Sequence, residues 1–453
     1  MRRALLVIAL MLPMAAAFAQ DIAPDTVQIL SDRLERDGQG VGIVAATIEN
    51  ATPVFTSLGM ADANGETPVD EHTLFEIGSL SKLFTNLLLA QMVLDGTVAL
   101  DKPVTDYLPK GTKIPDFKGQ QITLFDLATH SAGLPSIPPG LGAASPLDPY
   151  ANYGATPFYA FLAGFTLPRA PGEKFEYSNI GTTLLAEALS HAAAKPYADL
   201  VSERILTPLG MTDTTLTPSD PLALAGGHNA ADAPVPHWQF DIFAPAGGYI
   251  STAADLAKFA AAASGQTSTP LDAAIALMLK DTRPAGSPNM TIGLGWMILS
   301  HDDTAIVWHN GQTGGFNSFL GFDRTTHKAA IVLANAVTQT GIEDIGFHLI
   351  DPTAPLTPQP KAREAIELDP ELLENFAGTY VLGPEFSIDI TARDGALLIE
   401  PTGQGELQAF PESETQFFLT DVDAQLSFTL GPDGKATALV LHQNGQDIPG
   451  KKQ

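Results

Sequence analysis

The residues whose types and spacing could support catalysis begin with a serine and a lysine three positions apart, in the stretch EIGSLSKLFT at residues 76–85. If a helix starts here, Ser79 and Lys82 share one face and come close enough to hydrogen-bond. A serine hydroxyl beside an amine can act as a nucleophile whose proton the amine removes. The spacing alone also fits a helix cap followed by a solvated lysine. The apolar run LFTNLLLAQMVL after Lys82 favours a buried lysine.

A tyrosine two residues before an asparagine offers a second set of groups. YSN at Tyr177–Asn179 follows a Pro-Gly turn and precedes an amphipathic helix. The same spacing at Tyr150 and Asn152 lies in an irregular loop with no apolar helix after it. A phenol oriented by lysine can transfer a proton, and an amide can hold both lysine and substrate. We therefore favour Tyr177 and Asn179 as partners of Ser79.

The third element is a β-run that ends in VWHNGQTGGF. Gly311, Gly314 and Gly315 would let a ligand approach the backbone closely. An edge strand with unpaired N–H groups suits both oxyanion binding and capture of an extended substrate. His309 taken alone also fits a strand-end histidine whose neighbours satisfy its hydrogen bonds.

The elements that must position these groups form an α+β pattern. Two β-runs, GVGIVAATIEN and PVFTSLGMAD, come first, and helical patterns dominate from Ser79 to Leu279 around the Pro/Gly-rich stretch 133–157. Strands then return, and the turn DRTTHK predicts a hairpin. We expect an antiparallel sheet built from both ends of residues 20–350 and flanked by helices. An all-helical insertion would lie beside the sheet, with the site in the cleft between them.

The end of the chain predicts a separate all-β unit. Residues 351–366 carry four prolines and read as an extended linker. Residues 367–453 alternate apolar and polar positions, with Asp-Gly and Asn-Gly hairpin signals, which predicts a small sandwich or barrel. No cluster of serine, histidine and acid in this tail indicates chemistry of its own.

The N-terminus, MRRALLVIALMLPMAAAFAQD, has the pattern of a secretory signal peptide over residues 1–19. Its apolar stretch is too short to span a bilayer, and no later segment has the ~18 consecutive apolar residues that a membrane helix needs. We expect cleavage after Ala19 and a periplasmic or secreted protein without a membrane span.

Composition and context exclude several kinds of partner. The formal net charge of −27 over 453 residues argues against nucleic acid and anionic lipid. The absence of cysteine excludes thiolate metal sites and cysteine nucleophiles. Asp302–Asp303 are interpreted as hairpin-turn residues, so we expect neither metal nor cofactor.

His130 is expected to order its loop through backbone hydrogen bonds, and Glu76 and Asp126 to be surface or cap residues. Nothing in the sequence indicates an oligomeric state.

SLSK, YSN and HNG, in this order, resemble the three signature elements of the penicillin-recognising serine hydrolases. This family includes class C β-lactamases, DD-peptidases, D-aminopeptidases and related esterases. Other stretches similar to the family are ITLFDLATHSAGLP, PGEKFEYSN, PAGGYISTAADLAKF and HNGQTGGFNSFLGFD. The resemblance covers residues 25–350, and the tail resembles the small β-barrel attached to many members.

The resemblance implies a catalytic role for four residues. Ser79 would be the acylated nucleophile. Lys82 and Tyr177 would share general-base and general-acid work, with either one as the first base, and Asn179 would position them. The implied function is an exported hydrolase acting through an acyl-Ser79 intermediate on β-lactam or D-amino-acyl peptide substrates, including peptidoglycan peptides. A β-lactamase-like carboxylesterase and a slowly deacylating penicillin-binding sensor are the alternatives.

The resemblance also implies substrate-binding residues, with departures from the family pattern. The backbone N–H groups of the nucleophile and of Gln312 would form the oxyanion hole, beside His309 and Gly311. His309 stands where most class C β-lactamases have a lysine, so it lacks a permanent charge for a substrate carboxylate. In histidine-bearing DD-peptidases the residue after the glycine usually carries a hydroxyl, and here it is Gln312. Class C β-lactamases tend to have a glutamine just past the GLP segment, and here Ser136–Ile137 occupy that stretch. Arg324 could supply charge, although a solvated turn position is favoured.

Overall fold

The computed structural model describes residues 24–36, 40–62, 65–142, 145–218, 223–230, 232–301, 304–338, 340–357, 363, 365–383, 386–393, 395–402, 406–420, 424–443 and 446–453. The expected signal peptide with its cleavage point after Ala19, part of the proline-rich linker and Asp302–Asp303 lie outside these residues. Within these ranges, no helix has the length and apolar character required to cross a membrane.

The α-helices in the described ranges are α1 (Pro24–Ser31), α2 (Ser81–Leu94), α3 (Leu124–Ala128), α4 (Ala155–Gly164), α5 (Asn179–Ala193), α6 (Tyr197–Val201), α7 (Thr207–Leu209), α8 (Ala244–Gly247), α9 (Ala253–Ala263), α10 (Asp272–Met278), α11 (Glu343–Ile350) and α12 (Pro370–Leu373). The strands before the linker are β1 (Gly42–Glu49), β2 (Thr52–Gly59), β3 (Phe75–Glu76), β4 (Asp116–Phe117), β5 (Gln120–Gln121), β6 (Gly227–His228), β7 (Pro234–Val235), β8 (Ile250–Ser251), β9 (Arg283–Ala285), β10 (Ser287–Ile292), β11 (Met297–His301), β12 (Thr304–Gln312), β13 (Asn317–Asp323) and β14 (Ala329–Ala334). Those after it are β15 (Gly378–Gly383), β16 (Phe386–Arg393), β17 (Ala396–Pro401), β18 (Leu407–Pro411), β19 (Gln416–Leu419), β20 (Ala424–Leu430), β21 (Ala436–Gln443) and β22 (Gln446–Lys452).

One eight-stranded sheet joins early and late strands, in the order β2-β1-β14-β13-β12-β11-β10-β9. β1 pairs antiparallel with β14, with Ile43 opposite Ala334 at one end and Ile48 opposite Ala329 at the other. β13 and β14 form the hairpin that the turn DRTTHK predicts. These pairings confirm the prediction of one antiparallel sheet assembled from strands on both sides of the helical segment.

Both faces of the central strands are buried, because side chains alternate along a strand. In β1, Ile43 and Ala45 belong to a core cluster that contains Leu30 of α1 and Ile345 of α11. Val44, between them, belongs to the larger core cluster that also contains α2 and α9 residues. The sheet therefore has α1 and α11 on one face and the helical region on the other.

The helical region packs around α2, which is buried on almost every side. Eleven of its fourteen residues are buried, including Lys82 and Thr85. Because little of this helix is exposed to solvent, packing against the neighbouring elements stabilises it. Three two-stranded ribbons, β3–β8, β4–β5 and β6–β7, lie within the same part of the sequence. The insertion that the sequence predicted as all-helical is thus helical with short ribbons.

The tail forms a closed eight-stranded barrel, β15 to β22, in which β15 also pairs with β22. Its core is separate from the other two and includes Phe376, Tyr380, Phe417 and Phe428, whose rings contact one another. At the turn between β20 and β21, Gly434 has φ +76°, the left-handed conformation that an Asp-Gly pair favours. Of the two predicted all-β forms, the tail adopts the barrel.

Candidate active site

Ser79 and Lys82 lie at the start of α2, where a short 3-10 turn at Gly78–Leu80 leads into the helix. The Lys82 Nζ lies 2.9 Å from the Ser79 Oγ and 2.5 Å from the carbonyl oxygen of Ala246, at α8. Lys82 is fully buried, whereas Ser79 is partly exposed. The serine is accessible to a substrate, and the lysine behind it is shielded from solvent.

Burial lowers the pKa of Lys82 well below its ordinary value. Among the described residues no carboxylate forms an ion pair with it, so no opposite charge offsets the cost of burying its own. The neutral amine is therefore favoured, and a neutral amine 2.9 Å from a hydroxyl can accept its proton.

Tyr177 lies beside Ser79 and Lys82, two residues before α5. Its hydroxyl is within hydrogen-bonding reach of Ser79, and Lys82 Nζ is 4.8 Å from its ring centroid. Burial raises the pKa of Tyr177 above that of an ordinary phenol. The phenol therefore keeps its proton at neutral pH and can serve as a donor.

His130 holds the segment that carries Tyr177. Its ring packs on the Tyr177 ring at 4.4 Å between centroids, and its Nδ1 accepts the Ser178 N–H at 3.2 Å. Ser178 in turn caps α5 by accepting the Gly181 N–H. These contacts agree with the prediction that His130 orders its loop through backbone hydrogen bonds. Burial, with Lys82 nearby, lowers the pKa of His130 well below its usual value, so the ring stays neutral.

Asn179 makes a contact that sequence reasoning missed. Its Nδ2 donates to the hydroxyl of Tyr150 at 2.9 Å, whereas the sequence assigned the Asn179 side chain to Lys82 and Tyr177. Its Oδ1 is buried without a partner among the described residues. Tyr150, which the sequence set aside in favour of Tyr177, therefore also reaches the site. The Tyr-x-Asn spacing of Tyr150 and Asn152 was the one feature of the sequence that indicated a place in the site. The irregular loop around Tyr150 argued against that place.

His309 is in β12 and is 2% exposed. Its Nδ1 donates to the carbonyl oxygen of Asn310 at 2.6 Å, and its buried Nε2 has no partner among the described residues. Burial, followed by the nearby Lys82, lowers the pKa of His309 to about 3. The ring is neutral at physiological pH, so this position provides no positive charge for a substrate carboxylate.

The backbone around Ser79 packs tightly against the end of β12. A Cβ on Gly78, whose φ is +49°, would lie 2.7 Å from the Gln312 nitrogen. A Cβ on Gly311 would lie 2.9 Å from the Ser79 nitrogen and still closer to the Ile77 oxygen. Glycine is required at both positions for this approach. The two backbone nitrogens expected to bind an oxyanion therefore belong to adjoining segments.

Glu76 corrects one expectation from the sequence, because it is buried instead of lying on the surface. Its Oε1 accepts the Trp238 backbone N–H at 3.2 Å and lies 2.9 Å from the His237 Nδ1. It sits on β3, and the segment that carries His237 and Trp238 covers its carboxylate. Asp126 is buried too, but it forms a capping box with Thr123 at the start of α3, as a cap residue should.

Arg324 lies in the exposed turn after β13, as the sequence favoured. Ser136 contributes a backbone carbonyl that accepts the Asn179 N–H at 2.9 Å, and Ile137 is 39% exposed. Among the described residues, no group of three or more His, Cys, Asp or Glu side chains is arranged to hold a metal ion.

The barrel holds a hydrogen-bonded chain of serine, histidine and acid that the sequence did not reveal. Ser427 Oγ lies 2.9 Å from His442 Nε2, and His442 Nδ1 lies 2.6 Å from Asp447 Oδ1. The three residues meet across β20, β21 and β22, so no sequence spacing indicated them. β20 is paired on both sides, and a serine in such a strand lacks the free N–H groups that bind an oxyanion. The chain fits a cross-strand surface network.

The chain is similar in sequence and in structure to several known proteins. A family model for Beta-lactamase matches residues 28–353, and one described as a domain of unknown function (DUF3471) matches residues 362–452. The chain is 35% identical over 199 residues to the D-alanyl-D-alanine-carboxypeptidase/endopeptidase AmpH of Escherichia coli (strain K12), across 44% of this chain and 51% of that protein. The match thus spans about half the length of that relative.

Two further relatives are covered almost completely. Penicillin-binding protein 4* of Bacillus subtilis (strain 168) is 26% identical over 456 residues, which cover 93% of this chain and 97% of that protein. The crystal structure of a β-lactamase/D-alanine carboxypeptidase from Yersinia pestis, complexed with citrate, superposes with a TM-score of 0.62 at 26% identity. It covers 73% of this chain and 97% of its own. With a family model that matches well over half of its residues, the chain belongs to the β-lactamase family.

Proposed function

We propose that the protein is a serine hydrolase that forms an acyl-Ser79 intermediate with amide substrates of the β-lactam and D-alanyl peptide class. One observation carries the proposal: the partly exposed Ser79 Oγ lies 2.9 Å from the Nζ of the buried Lys82. Membership of the β-lactamase family and the likeness to a carboxypeptidase/endopeptidase and a penicillin-binding protein support the substrate class.

In the acylation step, Lys82 is the first base and Ser79 the nucleophile. Lys82 suits this role because burial favours its neutral form, whereas burial keeps Tyr177 protonated. The Ser79 oxygen attacks the substrate carbonyl carbon while its proton passes to Nζ. The backbone N–H groups of Ser79 and Gln312 stabilise the negative oxygen that develops on the carbonyl.

In the second half of acylation, the carbon–nitrogen bond breaks. The Tyr177 hydroxyl gives its proton to the leaving nitrogen and recovers one from the Lys82 ammonium. Ser79 has then lost one proton, the leaving group has gained one, and Lys82 and Tyr177 are back in their starting states. Water then attacks the acyl-Ser79 ester and gives one proton to the returning Ser79 oxygen through the same pair. Asn179 and His309 lie beside these groups and bind the substrate in this scheme.

A carboxylesterase is the second candidate, and the state of His309 favours it. A neutral histidine whose pKa is about 3 offers no charge to the carboxylate that penicillins and D-alanyl peptides carry. Esters of uncharged alcohols do not need such a charge. A slowly deacylating penicillin-binding sensor would use the same acylation groups and differ only in the rate of water attack.

The expected export and domain division also belong to the proposal. Cleavage after Ala19 would place the enzyme in the periplasm or outside the cell, where small β-lactams and peptidoglycan peptides are found. Residues 20–350 would form the hydrolase domain, and the barrel over 367–453 would shape substrate entry or mediate association. Deletion of the barrel at the linker with unchanged activity and oligomeric state would count against both barrel roles.

The function is tested with purified wild-type protein and Ser79→Ala, each incubated with nitrocefin, a fluorescent penicillin, a D-alanyl-D-alanine peptide and p-nitrophenyl acetate. Turnover of the amide substrates that disappears in Ser79→Ala supports the proposal. Ester turnover alone supports the esterase, and stable fluorescent labelling without turnover supports the sensor. Full activity of Ser79→Ala on every substrate would overturn the assignment of the nucleophile.

A further inference from the structure

We propose that the Ser79 site includes a subsite for an uncharged, apolar acyl group, bounded by the rings of Tyr150 and Trp238. The proposal rests on the function proposed above and deepens it by naming the class of acyl group that the enzyme prefers. It assigns a specificity role to two residues that the signature elements of the sequence do not contain.

Tyr150 is fixed at both ends. Its ring stacks on Phe240 at 4.9 Å between centroids and contacts Phe243 at 5.2 Å and Trp238 at 5.5 Å. Its hydroxyl accepts a hydrogen bond from Asn179 Nδ2 at 2.9 Å. The residue is 8% exposed, so the ring has little freedom to turn. Tyr150 therefore connects an aromatic cluster directly to an amide of the proposed catalytic group.

Trp238 extends this aromatic cluster across the cleft to the sheet. Its indole nitrogen would lie 2.5 Å from a Cβ at Gly314, so the ring rests on the backbone just past β12. Its Nε1 donates to the Leu147 carbonyl oxygen at 2.9 Å, and its backbone N–H donates to the buried Glu76 at 3.2 Å. The indole is thus held between the loop that carries Tyr150 and the strand that carries the proposed oxyanion hole.

The position of this wall along β12 indicates which part of the substrate it meets. His309 lies on the Tyr177 side, with 6.2 Å between ring centroids, and Tyr177 protonates the leaving group in the proposed mechanism. Gln312 ends β12 three residues further on, about 10 Å along the strand in the other direction. The turn that follows carries Gly314, against which Trp238 packs. Past Trp308, β12 is no longer paired with β11. A substrate that extends along this unpaired side of residues 309–312 therefore places its leaving group towards His309 and its acyl group towards Trp238.

The surroundings favour an acyl group without negative charge. The wall consists of aromatic rings, and the neighbouring Leu147 is 64% exposed at its edge. The two acids that hold this segment, Glu76 and Asp148, accept backbone N–H groups of Trp238 and Gln239. An anionic acyl group would be repelled by the partly exposed carboxylate of Asp148, whereas an apolar group would bury its surface against the rings.

The hydroxyl and the ring of Tyr150 make separable contributions. Loss of the hydroxyl removes the acceptor that orients the Asn179 amide, which lowers turnover of every substrate and leaves the apolar wall in place. Loss of the Trp238 indole removes the wall. Tyr153 offers a matched control, because its ring contacts Phe243 but its hydroxyl contacts the Pro157 carbonyl and not Asn179.

The test is an equilibrium titration of the full-length Ser79→Ala protein, in which binding is measured without turnover. The ligands are N-phenylacetyl-D-alanine amide, N-acetyl-D-alanine amide and the anionic N-succinyl-D-alanine amide. Calorimetry measures the affinity of each one. We expect the phenylacetyl ligand to bind about tenfold more tightly than the acetyl ligand, and the succinyl ligand more weakly than both. Trp238→Ala should abolish the tenfold preference, and Leu147→Asp, at an exposed position, should reduce it. Tyr150→Phe and Tyr153→Phe should both keep it.

Kinetics on p-nitrophenyl phenylacetate and acetate separate the two roles of Tyr150 in the protein with Ser79 intact. Tyr150→Phe should lower kcat for both esters by a similar factor, whereas Tyr153→Phe should not. The subsite would be overturned by equal affinity for the phenylacetyl and acetyl ligands, or by tighter binding of the succinyl ligand. It would also be overturned if the preference were unchanged both in Leu147→Asp and in a folded Trp238→Ala. The proposed function fails on a different result, namely hydrolysis that persists in Ser79→Ala.

Discussion

The Nζ of Lys82 lies 2.9 Å from the Oγ of Ser79, and the lysine is completely buried. Among the residues that the structure describes, no carboxylate pairs with this lysine, which donates its second hydrogen bond to the carbonyl oxygen of Ala246 at 2.5 Å. This pair combines an accessible nucleophile with an amine that burial keeps neutral. The consequences extend to stability, pH dependence and specificity.

Replacement of Lys82 by methionine should abolish hydrolysis and stabilise the fold. Because burial lowers the pKa of Lys82 in the folded chain, the unfolded chain binds this proton more tightly, so Lys82 favours unfolding at pH values below its unfolded pKa, including neutral pH. We expect Lys82→Met to raise Tm by about 1–2 °C, the shift that corresponds to about 1 kcal/mol at an unfolding entropy of about 2.1 cal/mol/K per residue in a chain of this size. Thermal unfolding at pH 7 measures it, with the solvated Lys110→Met as control. A Tm below wild type would show that the buried amine contributes net stability.

The pH profile of kcat/KM should rise from acid to neutral pH and then stay level. The rising limb reports loss of the proton from Lys82, whose folded pKa is lowered. No falling limb is expected up to about pH 10, because burial raises the pKa of Tyr177 above that ordinary phenol value. His309, with a pKa of about 3, should not titrate in this range. Initial rates on an uncharged ester across pH 5–10 measure the profile, and a fall centred below pH 10 would argue for a Tyr177 phenolate.

Gly311→Ala should reduce kcat by about 10²–10³, the usual cost of losing one oxyanion donor. The added methyl would lie 2.9 Å from the Ser79 nitrogen, so the two segments must separate. Gly164→Ala, at the end of α4, is the matched control, since a Cβ there meets nothing within 4 Å. Activity of Gly311→Ala close to wild type, in a protein with an unchanged Tm, would contradict the placement of the oxyanion hole.

His309→Lys should shift specificity towards substrates with a carboxylate. A lysine at this position would place a positive charge on the strand that binds the substrate. We expect the ratio of kcat/KM for a penicillin to that for its methyl ester to rise about tenfold, which corresponds to about 1.4 kcal/mol. Arg324→Gln, in the exposed turn, should leave this ratio unchanged. If Arg324→Gln lowers the ratio and His309→Lys does not raise it, the carboxylate is bound near the turn instead.

Much of this arrangement follows from local sequence patterns. Alternating and continuous apolar runs identified β1, β13 and β14, and the all-round apolar run after Lys82 indicated a buried helix with a buried lysine. The phrase HNG located Gly311, a glycine at which two backbone segments touch. These features depend on neighbours in the sequence, which is why they could be predicted.

The contacts that were missed join residues far apart in the chain. Glu76 is buried by His237 and Trp238, and Asn179 meets Tyr150 through a loop whose irregular sequence gave no sign of order. Ala246 contributes only a backbone carbonyl, which every residue has, so its residue type carried no signal. Such contacts depend on tertiary packing, and no spacing rule encodes them.

The most direct test of the central claim is to locate the covalent intermediate. The wild-type protein is mixed with a fluorescent penicillin, quenched in acid within seconds and digested, and the modified peptide is sequenced by mass spectrometry. The proposed mechanism predicts a single acyl group on Ser79, in the peptide that contains GSLSK, and none in Ser79→Ala. An acyl group on another residue, or hydrolysis without any acyl group on Ser79, would contradict it.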